Sequence, residues 1–142
     1  MGYAIEMSHR INNTNMVANC NNFDEYIRKL AHNSDSYYTM NEYNENSSQK
    51  YKKKIELISV YVVIFSENNF DDFLTFIKEI KKEKNIYIEC IYQDDVTCDI
   101  IYASSKYLKK NDKDFVKLYK QNKNKNISNL KKDIYNALCL SI

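Results

Sequence analysis

The strongest constraint in this chain is a motif that occurs twice: NNFDEYI at Asn21–Ile27 returns as NNFDDFL at Asn68–Leu74. In the first copy Asn22 reads as an N-cap, and Glu25, three residues on, completes a capping box. Phe23, Tyr26, Ile27 and Leu30 then recur at helical spacing and form one apolar stripe. In the second copy Asn69 takes the cap position and Asp72 the third helical position, with Phe70, Phe73, Leu74, Ile77 and Ile80 as the stripe. Lys78, Glu79, Lys81, Lys82 and Glu83 make its solvated side. Both helices are expected to cover one face of a sheet, and a doubled helix-then-strand unit implies a fold of two similar halves.

The runs around these helices read as strands. Tyr3–Ser8 alternates Tyr3, Ile5 and Met7 against Ala4, Glu6 and Ser8, the period of a half-buried strand. Ser36–Tyr43 is tyrosine-rich and polar, as an edge strand is, and Asn44–Gln49 reads as a turn. Ile55–Phe65 (IELISVYVVIF) is the most apolar and β-branched stretch, which predicts a central strand covered on both faces. Ile86–Tyr92 follows the second helix, Asp94-Asp95 makes a turn, and Thr97–Ala103 returns as a hairpin partner. The order is the split β-α-β-β-α-β unit of ferredoxin-like folds, an α+β antiparallel sheet, here with an extra C-terminal strand. A connection of about twelve residues around Asn12–Asn22 has to join the first strand to its helix, which is long for such a unit.

Residues 1–105 are read as that domain and residues 106–142 as a basic helical tail packed on it or on a partner. In the tail Asp112–Lys120 forms a short helix with Phe115, Leu118 and Tyr119 on one side, and Gln121–Asn126 is a polar linker. Ser128 then caps a last helix bearing Leu130, Ile134, Tyr135, Leu138 and Ile142. That helix is expected on the sheet's second face or on another subunit. Charge is placed unevenly: residues 106–142 hold ten lysines against three aspartates, a net +7, while residues 1–49 carry −3 and residues 50–105 carry −2.

Composition removes several function classes. The chain has one glycine and no proline, so glycine-rich loops of the Rossmann, P-loop and kinase kind are excluded. Its turns must rely on Asn and Asp. No apolar run approaches the ~20 residues of a membrane span, and MGYAIEMSHR has neither a secretory layout nor, with Glu6 where Ser or Thr is wanted, a myristoylation pattern. A soluble, cytoplasmic chain is therefore expected. Cys20, Cys90, Cys98 and Cys139 have no C-x-x-C spacing and no paired histidines, so they read as small buried hydrophobes rather than a zinc site. A Cys90–Cys98 disulfide across the hairpin turn does not suit a reducing compartment.

Candidate chemistry is sparse. His9 and His32 lie in different elements and lack a nucleophile at a recognisable spacing; His32, at the end of the first helix, suits the helix dipole. Glu89, Asp94, Asp95 and Asp99 cluster at one hairpin, but adjacent aspartates are ordinary turn formers, and no catalytic residue, metal site or cofactor is assigned. Tyr61 and Phe65 share a strand face. With Tyr135 and Leu138 they are the candidate protein-interface residues. Base stacking on Tyr61 and Phe65 is the weaker reading, because Leu57–Phe65 lacks the glycine and the basic start of an RNA-recognition strand. The lysines Lys106, Lys109, Lys110, Lys113, Lys117, Lys120, Lys123, Lys125, Lys131 and Lys132 are the candidate phosphate contacts.

The stretch IECIYQDDVTCDIIYASSKYL at Ile88–Leu108, with the MGYAIE start and SYYTMNEY, resembles small proteins of mimivirus-like giant DNA viruses. The resemblance spans roughly the whole chain and implies a viral protein made in an infected cell's cytoplasm; it brings no activity or site residues. Asn, Lys, Ile and Tyr are the residues of AT-rich codons, which fits such a genome. The expectation is a non-enzymatic protein acting by protein contact or self-association, with no small-molecule substrate or membrane partner. The alternative is sequence-nonspecific nucleic-acid binding through the basic tail.

Overall fold

Tyr3, Ile5 and Met7 all turn to one side of β1 (Gly2–Asn12) and are buried there, as their alternation requires. The computed structural model describes residues 2–12, 16–46, 54–83, 86–94, 100–110, 112–122 and 129–139. Along the chain β1 leads to α1 (Met16–Leu30), β2 (Ser36–Asn46), β3 (Lys54–Ser66) and a 3-10 turn at Glu67–Asn69. Then come α2 (Phe70–Lys81), β4 (Ile86–Asp94), β5 (Ile100–Ala103), α3 (Ser105–Lys110), α4 (Lys113–Asn122) and α5 (Asn129–Ala137). The strands form one five-stranded sheet in the order β2-β3-β1-β4-β5, with every neighbouring pair antiparallel. The fold class is α+β with an open antiparallel sheet.

One face of the sheet carries the core. Tyr61, Val63 and Phe65 of β3 lie beside Ile5 and Met7 of β1 and Ile91 of β4, under Ile27 of α1 and Phe73, Phe76, Ile77 and Ile80 of α2. The aromatic rings meet in tilted pairs, Phe65 at 5.5 Å from both Phe73 and Phe76, a geometry that adds to plain area burial. α5 belongs to the same layer. Its Ile134, Tyr135 and Ala137, with Leu138 just beyond its end, join that core, so the last helix packs beside α2 and not on the sheet's second face. Polar ties hold the layer in register: the Tyr26 hydroxyl donates to Glu83 at 2.8 Å, and that of Tyr37 to Asp24, which also pairs with Arg28 at 3.0 Å.

Several boundaries differ from the sequence reading. α1 starts six residues before Asn22, which therefore sits inside a helix instead of capping it. Nothing in Met16–Asn22 is Gly or Pro, so nothing stops the helix from extending upstream. The supposed long connection shrinks accordingly, and positions 13–15 lie outside the described residues. The two NNFD copies thus occupy different helical positions, mid-helix in α1 and the first turn of α2. Asn69 precedes α2 but makes no side-chain capping bond; its amide instead donates to the Asn33 carbonyl at 3.3 Å. Ser66 does the capping one turn earlier, accepting from the Asn68 N–H at 3.2 Å. β2 runs through the expected turn as far as Asn46. β3 is an interior strand but covered on one face only: Val60, Val62 and Ile64 are half-buried where Tyr61, Val63 and Phe65 are buried. β5 is shorter than Thr97–Ala103, and residues 95–99, including Asp95, Cys98 and Asp99, are outside the described residues.

Candidate functional site

Among the described residues the outer strand β2 is paired on one side only, with β3. Its Tyr38 and Met40 are 58% and 61% exposed, large apolar side chains standing in solvent on an 11-residue edge. Across the ladder Tyr38 stands opposite Val62 and Met40 opposite Val60, with Ile64 next along β3. These five side chains make one apolar row on the sheet face turned away from α1 and α2. Glu6 and Ser8 of β1 follow as the next neighbours inward, opposite Val62 and Val60.

The other edge is closed. The Ala103 N–H donates to the Tyr119 hydroxyl at 3.0 Å, and the Tyr135 hydroxyl donates to the Ile101 carbonyl at 2.9 Å. Backbone groups on β5 that would otherwise invite another strand are taken by two tyrosines of the tail. Among the described residues the sheet therefore offers one free edge, at β2.

A buried polar cluster sits where β1, β4 and α3 meet. The β1–β4 register shifts between Glu6 and Met7, a bulge that carries Glu89 into the interior at 4% exposure. Its carboxylate accepts from the Ser8 hydroxyl at 2.7 Å and from the Ser104 hydroxyl at 3.3 Å, while its carbonyl accepts from the Ser104 N–H at 2.8 Å. Ser104 also accepts from the Tyr107 N–H at 3.1 Å and so caps α3. Beside it the buried Cys90 thiol donates to Glu6 at 3.5 Å. Burial first, and then the Glu6 carboxylate, push that thiol far above its ordinary range. The Tyr107 hydroxyl, bonded to Cys90, is pushed up to about 12, mainly by burial. A cleft of about 340 Å³ opens nearby, lined by Glu83, Tyr87, Glu89, Tyr102, Ser104 and Lys106. The Lys106 ammonium lies 5.6 Å from the centre of the Tyr87 ring. Chemically this cluster ties β1, β4 and α3 together: both carboxylate oxygens are occupied, and a thiol held protonated is a poor nucleophile.

The residues chosen from sequence fall into separate places. Tyr61, Phe65, Tyr135 and Leu138, expected at an interface, are all packed inside this chain because they lie on the covered sheet face and the inner side of α5. Neither partner contact nor base stacking is open to them. Lys109, Lys113, Lys117 and Lys120 line one cleft of about 690 Å³ between α3 and α4, floored by Leu108 and Val116. Lys106, Lys131 and Lys132 lie apart from it; the side chain of Lys110 and all of Lys123 and Lys125 are outside the described residues. His32 is exposed, its ring Nδ1 3.1 Å from the Lys29 carbonyl. His9 is buried against the Phe23 ring at 4.2 Å, with Nδ1 unpaired among the described residues. Cys90 is free, which removes the Cys90–Cys98 pairing, and Cys139 is exposed rather than buried. Of the acidic cluster only Glu89 has a described side chain, and among the described residues no group of His, Cys, Asp and Glu could hold a metal ion. Sequence reasoning missed Tyr38 and Met40, although the alternation within an edge strand was the signal that could have found them.

No family model, curated protein or solved structure matches this chain. Among the described residues no helix is long and apolar enough to cross a membrane.

Proposed function

We propose that the protein acts by contact between protein surfaces, and that the contact is self-association through the free β2 edge. The observation that carries this reading is the pairing of an open edge with exposed Tyr38 and Met40, continuous with half-buried Val60, Val62 and Ile64. An edge that presents unpaired backbone donors and acceptors matches an identical edge run antiparallel. Centring the two strands on Thr39 puts Tyr38 of each copy opposite Met40 of the other, an aromatic against a thioether. Because β5 is closed by Tyr119 and Tyr135, the pairing terminates at two copies and does not propagate into a filament.

The energetic scale is modest. An aromatic presents about 200 Å², so Tyr38 leaves roughly 120 Å² in water, about 3 kcal/mol at ~25 cal/mol per Å². Two such side chains from each copy, four in all, contribute about 12 kcal/mol at most, comparable with the ~4–15 kcal/mol cost of association. The dimer is therefore concentration-dependent. The sheet order, in which α1 links β1 to β2 across β3 and α2 links β3 to β4 across β1, supports a ferredoxin-like arrangement with β5 added. In this reading the protein is non-enzymatic, and the resemblance to giant-virus proteins puts its work in an infected cell's cytoplasm. Light scattering tests it: the wild type gives twice 16.9 kDa, and the Tyr38→Lys/Met40→Lys variant gives the monomer with unchanged circular dichroism. A wild type still monomeric at about 100 μM refutes the pairing.

A further inference from the structure

We infer that the cleft between α3 and α4 binds the phosphate backbone of a single-stranded nucleic acid. Four lysines line it, Lys109 from α3 and Lys113, Lys117 and Lys120 from α4, and among the described residues no acidic side chain does. None of the four makes an ion pair among the described residues. On α4 the spacing of four and then three residues keeps the lysines on one helix face, with steps of about 6 and 4.5 Å along the axis. Asp112, just before α4, is occupied in capping: its carboxylate accepts from the Phe115 N–H at 2.7 Å, and Asp114 in the first turn does not line the cleft. The capping bond fixes where α4 begins and thus where its lysines point. Beneath, Tyr107 and Phe115 meet edge to face at 6.3 Å and hold the two helices together.

The shape of the charge selects the ligand. A small anion needs only the cleft, but the surplus of lysine extends over residues 106–142, ten against three aspartates, which suits a long polyanion. Residues 1–105 are net negative, so such a ligand is attracted to the tail and repelled elsewhere. The floor of Leu108 and Val116 gives unpaired bases an apolar surface, whereas a duplex would touch only the lysine rim. This site is independent of the β2 edge.

The test is fluorescence polarisation with a labelled oligothymidylate of about 20 nucleotides. Neutralising four phosphates gives a salt slope near −3, so the affinity falls about 50-fold between 50 and 200 mM salt. The variant Lys109→Gln/Lys113→Gln/Lys117→Gln/Lys120→Gln loses that slope and the binding, while the corresponding Lys→Arg variant keeps both. Circular dichroism confirms that each remains folded; should the fourfold variant unfold, Lys117→Gln/Lys120→Gln is read instead and roughly halves the slope. No polarisation change with the wild type at low salt overturns the proposal, as does binding that the Gln variants leave intact. Equal affinity for a duplex of the same length overturns the single-strand assignment. Capture by phosphatidylserine–phosphatidylcholine vesicles at about 1:3 without oligonucleotide binding assigns the cleft to membranes and overturns it too.

Discussion

Replacing Ile134 by Ala separates a tail built into the fold from one attached to it. Ile134 is 0% exposed and belongs to the core cluster shared with α2 and β3. The change deletes three carbons, about 2.4 kcal/mol at ~0.8 kcal/mol per group. A residual void of about 50 Å³ adds ~1 kcal/mol at ~24 cal/mol per Å³. The expected loss is thus about 3–4 kcal/mol, or roughly 10 °C in Tm for a domain of this size. Urea unfolding followed by far-UV circular dichroism and by tyrosine emission provides the assay, since the chain has 13 tyrosines and no tryptophan. One shared transition, shifted to lower urea with unchanged slope, is the expected result. Leu118→Ala, at a residue 57% exposed on α4, is the control and changes stability by no more than ~0.5 kcal/mol. A loss under 1 kcal/mol for Ile134→Ala, or separate transitions for the two probes, would refute the shared core.

Gly2→Ala is expected to cost about 1–3 kcal/mol, measured in the same unfolding assay, because an added Cβ would run into the Phe65 carbonyl across the β1–β3 ladder. Burial holds the pKa of His9 below its ordinary 6.5, so the unfolded chain takes up a proton more readily than the folded one. Its contribution is complete above pH 6.5 and lost as pH falls through the lower folded value, so the urea midpoint drops over that acidic window and His9→Phe flattens the drop. A His9→Phe variant with the wild-type pH profile would show that other groups control it.

The strands were legible because alternation and β-branching are local properties. The edge position of β2 followed from its polar tyrosine-rich composition, and the interior position of β3 from its apolar run. Whether β3 was covered on both faces could not be read. Val60, Val62 and Ile64 look the same in sequence whether a helix lies over them or not, and α5 went to the other side. The repeat misled for a related reason: a capping pattern marks a helix start only when the preceding residues cannot be helical, and one glycine and no proline leave few such breaks. The Glu89 cluster was out of reach, since Ser8 lies 81 residues away and the bulge that turns the carboxylate inward has no sequence mark.

The lysines raise a harder question, because codon bias alone could produce them. Bias acts on every surface position alike, whereas ten of the 21 basic residues lie in residues 106–142, and four of them meet in one cleft. The same tail does structural work with its other side chains: Ile134 and Leu138 complete the core, and the hydroxyls of Tyr119 and Tyr135 close the β5 edge. A segment anchored by its apolar and tyrosine side chains holds α3 and α4 in fixed relation and leaves Lys109, Lys113, Lys117 and Lys120 without an ion pair among the described residues. Charge concentrated on such a support is preorganised, so binding a polyanion there requires little further ordering of the protein. The β2 edge is the reverse case: Tyr38 and Met40 stand in water because nothing in the described chain covers them, and in the proposed dimer a second copy would supply the missing strand.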